Sequence, residues 1–298
     1  MLIADAFTRP PKILSQDQRQ AFRETGYLCL PGFIGADWLD RLRRVTDDQI
    51  DESRTVAETD DKFDLEPDHS PETPRLRRLM KPQDHDPTYW AFASESPIVD
   101  LAEDLLGPNL KFHHGKLNFK WSGGGAEVKW HQDIPFWPHT AYNVVTIGLA
   151  LADIDETMGP MGVLPGSHTG PIYDHYGPDG DWRGFIGEKD LETLDVGQAD
   201  YLEGPAGTVT VHHCRAIHGS KPNRHPTQAR PFLLNAISAA DCLPLMPYNQ
   251  ASRYSGAIVR GRHPDYPTVD PEPCRLPPLP TGEYRSIFAA QKGERRTA

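Results

Sequence analysis

The chain has 298 residues, a formal net charge of −11 and a hydrophobic share of 38%. This composition is typical of a globular protein large enough to bury a sizeable core. The excess of acidic residues, with no stripe of lysine and arginine to offset it, argues against a nucleic-acid partner. The longest apolar run, residues 144–152, is too short to cross a bilayer. We therefore expect a soluble protein, and a cytoplasmic one because no basic, apolar leader opens the sequence.

The first predicted elements are a helix, a strand and a second helix. Ser15 and Gln18 have the spacing of a capping box, and Gly26 is a typical helix stop. The apolar stretch Tyr27–Leu30 then predicts a strand. Over residues 36–51 the apolar side chains recur at helical spacing on one face, which predicts the second helix.

Residues 51–88 differ in character from what precedes them, because they are rich in acids and prolines and show little periodicity. We interpret them as a covering loop or lid, with a plain solvated connection as the alternative. A third helix is then predicted between Pro97 and Gly107. Residues 1–109 are thus expected to form a helical N-terminal part.

The pattern changes to β after residue 109. At least six short strand-like runs, separated by Gly, Pro and Asn, follow over residues 110–240. They predict a mainly β fold with flanking helices (α+β), of the sandwich or cupin-like jelly-roll type. We expect a single domain over residues 1–298, with an insertion at 169–203 in the β core and a C-terminal extension at 241–298.

A possible metal-binding pair lies in the run KWHQDIPFW. If this run is a strand, His131 and Asp133 project to the same face and Gln132 points away. Composition alone predicts about one such His-x-Asp triplet by chance. The chain has a second one at His263 and Asp265, but the intervening proline and proline-rich surroundings predict surface residues there.

A third ligand would complete a two-histidine, one-carboxylate facial triad, whose usual metal is Fe(II) and which leaves coordination positions open for substrate and oxygen. The run GTVTVHHCRAIHGSKPN supplies the candidates. We predict His218, at the start of HGSKPN, with His213 next. His212 and His213 are adjacent, so they face opposite sides of a strand, and either could be a hydrogen-bond donor to the site or a core histidine.

The order and spacing of these motifs resemble those of a known family. HQD, then GPMGVLPGSH, then HGSKPN with an arginine shortly after, resemble the phytanoyl-CoA dioxygenase family of Fe(II)- and 2-oxoglutarate-dependent oxygenases over roughly residues 15–240. The resemblance implies a double-stranded β-helix core with His131, Asp133 and His218 as iron ligands. It also implies an enzyme that consumes 2-oxoglutarate and O2 and releases succinate and CO2.

The same resemblance implies where 2-oxoglutarate is held. Arg230 and Ser220 would bind its far carboxylate, which suits a guanidinium because it can grip a carboxylate with two hydrogen bonds. Lys116 falls at about the position of another cosubstrate contact. This chain has one extra residue between His218 and Arg230 relative to the family pattern, so Arg224 in the turn is a rival, with a solvated role as its alternative.

The substrate is less determined by the sequence. Phe136, Trp137 and Lys120 are predicted to face it, with core packing or surface exposure as the alternatives. We expect hydroxylation, or another oxidation, of a C–H bond in a small metabolite, and the carboxylate of Asp133 disfavours halogenation by the family's chemistry. The alternatives are a non-oxidative cupin-type metal protein or isomerase, and an oxygenase that modifies proteins.

Overall fold

The structure is a computed structural model that describes residues 7–123, 125–248, 251–278 and 287–292. Its first elements are as the sequence predicts. Helix α1 (Gln16–Thr25) begins at a capping box in which Ser15 and Gln18 exchange hydrogen bonds, and it ends at Gly26 with a left-handed φ of 82°. Strand β1 (Tyr27–Leu30) and helix α2 (Ala36–Glu52) follow.

The segment 51–88 is not the covering loop that its composition suggested. It contains strands β2 (Phe63–Leu65) and β3 (Leu76–Met80), and all the residues of both strands are buried. Strand β3 pairs with the next strand of the chain and so extends the main sheet. The prediction of a lid is wrong because two short strands are too brief to show a period among so many acids and prolines.

Three helices complete the N-terminal part. They are α3 (Pro82–His85), α4 (Pro87–Glu95) and α5 (Pro97–Leu106). Asp86 caps α4, since its side chain accepts from the backbone N–H of Thr88. Helix α5 was predicted, whereas α3, inside the presumed loop, and α4, which begins at its end, were missed.

The large sheet supplies one wall of the roll. Its further strands are β4 (Leu110–Lys120), β6 (Val144–Ala150), β9 (Val209–His213), β11 (Arg230–Ala239) and β12 (Ile258–Arg260). The strand order is β1-β9-β6-β11-β4-β3-β2, with β12 paired to β4, and every pair is antiparallel.

Alternation along these strands separates the core from the site. One face of the large sheet contributes Leu117, Ile147, Val211 and Leu233 to the main hydrophobic core, which also takes in residues of α1, α2, α4 and α5. The residues between them point to the opposite face, the inside of the roll. That inner face carries the polar side chains on which the chemistry depends.

The small sheet forms the other wall. Its strands are β5 (Val128–His131), β7 (Met161–Val163), β8 (Asp200–Leu202) and β10 (His218–Ser220), in the order β5-β10-β7-β8. The two antiparallel sheets form a double-stranded β-helix, or jelly roll, which confirms the predicted fold class. The sequence did not reveal β8 and β10, which have three residues each.

The insertion and the C-terminal extension both contribute to this core. Residues 169–203 contain helix α6 (Glu188–Leu191) and end in β8, so the last part of the predicted insertion belongs to the small sheet. The C-terminal extension adds β12 and helix α7 (Ile287–Lys292). The domain boundaries stay a prediction. Of the helices described, none has the length and apolar character needed to span a bilayer.

Candidate metal centre

Two histidines face each other across the small sheet. His131 in β5 is the direct partner of His218 in β10, and their ring centroids lie 4.1 Å apart. Nδ1 of His131 is 2.8 Å from the carbonyl of Lys129, and Nδ1 of His218 is 3.0 Å from that of Ala216. A carbonyl can only accept, so both Nδ1 atoms donate and both Nε2 atoms keep a lone pair directed into the roll.

Asp133 reaches the same point from a turn. The predicted strand ends at His131, and Asp133 instead lies at the N-cap position of a short 3-10 helix, Ile134–Phe136, without a side-chain capping hydrogen bond. Its backbone N–H donates to the carbonyl of Cys214 at 3.0 Å, which fixes the turn. Its Oδ1 lies 4.0 Å from Nε2 of His131 and 3.9 Å from Nε2 of His218. The shared-strand argument was therefore wrong, although the two side chains do come together.

The other carboxylate oxygen is held by the large sheet. Thr146 Oγ1 donates to Asp133 Oδ2 at 2.7 Å, and Nε2 of His212 donates to it at 3.2 Å. Burial alone would raise the pKa of Asp133, but the hydrogen bond from His212 and the fields of His218 and Lys116 hold this pKa well below its usual range. Asp133 is therefore ionised at neutral pH.

The structure decides between the two adjacent histidines of β9. His212 faces the site, whereas His213 is on the opposite side, where the backbone N–H of Arg215 donates to its Nδ1 at 3.1 Å. The sequence could say that the two rings point in opposite directions, but not which one points inward. His168 lies in a 3-10 turn outside this cluster.

The three donor atoms fit a metal ion. One donor atom from each of His131, Asp133 and His218 lies within 4.8 Å of the others, and all three residues are buried. Oδ1 of Asp133 lies 3.9–4.0 Å from the two Nε2 atoms, which an ion about 2.0–2.2 Å from each donor can bridge. Burial lowers the pKa of His131 to about 4, so its imidazole is neutral and can ligate. Two imidazoles and one carboxylate are a facial-triad donor set, suited to Fe(II).

A cavity adjoins these donors, and it carries positive charge. Lys116, Ser220 and Arg230 line it together with the triad, and Asp133 is its single carboxylate among the residues described. Phe232 forms part of the cavity wall. A Cβ at Gly148 of β6 would lie 2.4 Å from an atom of the Phe232 ring, so this position requires glycine. A cavity with this lining favours anionic ligands.

Arg230 is buried with part of its hydrogen-bonding capacity unused. It is 4% exposed, and among the described residues neither a carboxylate nor any other acceptor bonds to its guanidinium. Burial lowers the pKa of Arg230 to about 10, which leaves it charged at neutral pH. Because an unpaired buried charge is costly, this arrangement fits a ligand carboxylate. The rival Arg224 is exposed in the turn.

Lys120 supports Ser220 rather than facing a substrate. Its Nζ donates to Ser220 Oγ at 2.7 Å and to the Ser220 carbonyl at 3.2 Å, and it also contacts the carbonyl of Lys221. Its three N–H groups are thereby used, and Lys120 is absent from the cavity wall. The prediction that Lys120 faces the substrate is therefore corrected. Strand pairing places Lys120 beside Arg230, at the end of the cavity near β10.

The two predicted aromatic contacts do not line the cavity either. Phe136 packs edge-on against His131 with ring centroids 5.7 Å apart. Trp137 packs against His113 and His114, at 5.2 Å and 5.9 Å. Phe136 is therefore a packing group beside His131, and Trp137 is one beside His113 and His114. The sequence also missed the apolar side of the cavity, Ile287 and Phe288 of α7, because nothing in the extension indicated contact with the core.

Gln132 points away from the site, as predicted, and joins it to the insertion. Its side-chain amide donates to the carbonyls of Pro171 and Arg215 at 3.0 Å and 2.8 Å, and it accepts from the N–H of Tyr173 at 2.8 Å. Its backbone N–H donates to His175 Nε2 at 3.1 Å. Gln132, between His131 and Asp133, thus fixes the turn on which Asp133 lies.

Comparison with known proteins agrees with this site. The profile of the family described as phytanoyl-CoA dioxygenase (PhyH) matches residues 22–231. A probable alpha-ketoglutarate-dependent hypophosphite dioxygenase from Stutzerimonas stutzeri is 34% identical over 282 residues, with 93% of this chain and 96% of the relative covered. An L-proline trans-4-hydroxylase from Streptomyces griseoviridis is 34% identical over 184 residues, covering 54% of this chain and 68% of the relative. The crystal structure of apo EctD from S. alaskensis aligns with a TM-score of 0.68 at 23% identity, covering 84% and 88%.

The protein is thus an enzyme of the alpha-ketoglutarate-dependent dioxygenase class. The chain belongs to the phytanoyl-CoA dioxygenase family. This membership confirms the resemblance that the motifs suggested, and it rules out the alternative of a non-oxidative jelly roll.

Proposed function

We propose that the protein oxidises a small anionic molecule with Fe(II), 2-oxoglutarate and O2, and that His131, Asp133 and His218 hold the iron. The observation that carries the proposal is the convergence of these donors beside a cavity whose charged wall is cationic. When bound, iron supplies the redox chemistry by which 2-oxoglutarate, O2 and a substrate R–H become succinate, CO2 and R–OH. The protein's own residues bind, orient and exclude water.

Arg230 and Ser220 would anchor the far carboxylate of 2-oxoglutarate. Because Lys120 has only N–H donors to offer, Ser220 Oγ accepts from it and keeps its own O–H hydrogen for another acceptor. A carboxylate beside Arg230 is the acceptor that this arrangement suits. Ser220 and Arg230 then present parallel donors to the two carboxylate oxygens, which fixes the cosubstrate in one direction.

Lys116 is the cation that this arrangement leaves available. It lines the cavity from strand β4, two residues after His114. Strand pairing through β11 aligns His114 with Thr146. Burial lowers the pKa of Lys116 to about 8, so it is mostly charged at neutral pH. We assign it to a negative charge, either the near end of the cosubstrate or the substrate itself. Ile287 and Phe288 cover the same cavity, which supports a compact substrate over a peptide.

A compact oxyanion is the substrate class that these features favour. The relative named as a hypophosphite dioxygenase matches nearly the whole of both chains, and hypophosphite is a small monoanion with P–H bonds. We propose hypophosphite as the first candidate, oxidised to phosphite by conversion of one P–H bond to P–OH. A second candidate, hydroxylation of a C–H bond in a small amino-acid-like metabolite, is supported by the identity to the proline hydroxylase.

The test begins without oxygen. Purified protein mixed with Fe(II) and 2-oxoglutarate is expected to develop a weak visible charge-transfer band. After aeration, succinate is measured with hypophosphite, L-proline or ectoine present, and phosphite is followed by 31P NMR. Phosphite and succinate in equal amounts support the first candidate, and a hydroxylated amino acid supports the second. Absence of the band and of succinate from well-folded protein contradicts the proposal.

A further inference from the structure

We propose that Thr146 and His212 are positioning residues that hold the outer oxygen of Asp133, so that Oδ1 alone is presented to the metal. This inference rests on the proposed metal site. It assigns a role in metal binding to two residues of the large sheet, whereas the proposed ligands lie on the small sheet and its adjoining turn.

The two donors are cross-strand partners. Thr146 of β6 pairs directly with His212 of β9, so both side chains rise from neighbouring points of the same inner face. Each reaches Asp133 Oδ2, at 2.7 Å and 3.2 Å, while Oδ1 remains 3.9–4.0 Å from the two ligand imidazoles. Strand β6 lies inside the sheet between β9 and β11, which makes this a rigid support.

The hydrogens on these donors can be assigned from chemistry. Asp133 Oδ2 is a carboxylate oxygen and accepts, so the hydroxyl of Thr146 and Nε2 of His212 both donate. Nδ1 of His212 is buried and has no partner among the described residues. In the neutral tautomer with its hydrogen on Nε2, the unpartnered Nδ1 carries a lone pair and no N–H group. This tautomer fits the site best, because no donor is left without an acceptor.

The consequence concerns how the carboxylate coordinates. A carboxylate without outer contacts can rotate about its Cβ–Cγ bond, or offer both oxygens to one ion. Two donors on Oδ2 fix the plane of the group before metal arrives and oppose binding through both oxygens. Loss of one donor is expected to weaken metal binding about ten- to a hundredfold, as is typical when such outer contacts are removed.

The chain offers matched controls. Thr210 lies on the same inner face, two residues before His212 on β9, and it pairs with Gly148 of β6. Its hydroxyl is also buried but has no partner in the described part of the chain. Thr210→Val therefore removes a similar hydroxyl without touching Asp133. Thr146→Ser keeps the donor that Thr146→Val removes.

The experiment uses Co(II) as the probe on the full-length protein. Affinity is measured by equilibrium dialysis, coordination by the visible Co(II) absorption spectrum, and stability by chemical unfolding of the metal-free protein. Thr146→Val and His212→Phe are expected to weaken Co(II) binding about ten- to a hundredfold and to alter the spectrum. Thr146→Ser and Thr210→Val are expected to match wild type. Metal-free Thr146→Val is expected to unfold more easily than Thr210→Val, because only Thr146→Val removes a hydrogen bond to a buried carboxylate. The Co(II) spectrum is therefore the readout that a purely structural role of Thr146 would leave unchanged.

The outcomes separate this inference from the proposal on which it rests. If folded wild-type protein binds no Co(II), the metal site itself fails and the inference falls with it. If wild type binds but Thr146→Val and His212→Phe bind as tightly, with the same spectrum, the positioning role is overturned and the metal site stands. Should His212→Phe not fold, the comparison of Thr146→Val with Thr146→Ser decides.

Discussion

His218 lies directly opposite His131 across the β5–β10 pair, with the two ring centroids 4.1 Å apart. The spacing between these two proposed ligands is therefore set by strand pairing and not by a flexible loop. Both rings are also oriented by a backbone carbonyl two residues earlier in the chain. A ligand set built in this way is largely preformed, which lowers the cost of binding a metal.

We first predict that His131→Ala and His218→Ala each abolish Fe(II) binding, and that the double variant is no worse than either single one. Each substitution leaves only two of three donors, so the second loss removes little more. Isothermal titration under anaerobic conditions measures the binding. His263→Ala, at an exposed histidine, is the control. Retention of near wild-type affinity by either single variant would exclude that residue as a ligand.

We next predict that Arg230→Lys raises the KM for 2-oxoglutarate about tenfold to a hundredfold while Arg224→Lys leaves it unchanged. Lysine keeps the charge but cannot make the paired hydrogen bonds of a guanidinium, which are worth about 1.5–3 kcal/mol. Succinate formation at varied 2-oxoglutarate gives both constants. The reverse ranking of the two variants would assign the cosubstrate to the turn arginine.

A third prediction concerns the contact between Lys120 and Ser220. Lys120→Met and Ser220→Ala are each expected to raise the KM for 2-oxoglutarate, since both disturb the hydroxyl that faces the cavity. The double variant should cost less than the sum, with a coupling energy of about 1 kcal/mol. A double-mutant cycle on KM and kcat provides the measurement. Strict additivity would mean that Lys120 affects the KM by a route that does not involve Ser220.

A fourth prediction is a pH dependence that comes from Lys116. Its pKa is lowered to about 8 by burial, so the ammonium is present below this pH and is lost as the pH rises through it. The KM for an anionic ligand should therefore increase about tenfold per pH unit above roughly pH 8. Lys116→Met should show a high KM at all pH values, without this rise. An unchanged pH profile in the variant would assign the dependence to another group.

The last prediction concerns stability. Gln132→Met keeps the approximate volume of this fully buried residue but leaves the carbonyls of Pro171 and Arg215 and the N–H of Tyr173 without their partner. We expect the free energy of unfolding to fall by about 2–4 kcal/mol, from the cost of buried polar groups left unpaired. Urea denaturation measures the change. A loss below about 0.5 kcal/mol, as at an ordinary surface position, would show that water replaces the amide.

Much of the fold could be predicted from local patterns. The capping box at Ser15 and the stop at Gly26 gave α1 its observed ends, and alternating apolar runs gave the long strands β4, β6 and β11. Strands β2, β8 and β10, of three residues each, were missed, although the equally short β7 lay within a predicted run. A period of two cannot be distinguished from chance over so short a run.

The sequence by itself determined which residue types could form the site, because HQD, HGS and the following arginine stand in a recognisable order. Only the tertiary structure decided how they meet. It placed Asp133 on a turn, turned His212 and not His213 inward, and used Lys120 to support Ser220. The physical reason is that these contacts join residues about 80–100 positions apart, where strand register between two sheets sets every distance and no local pattern records it.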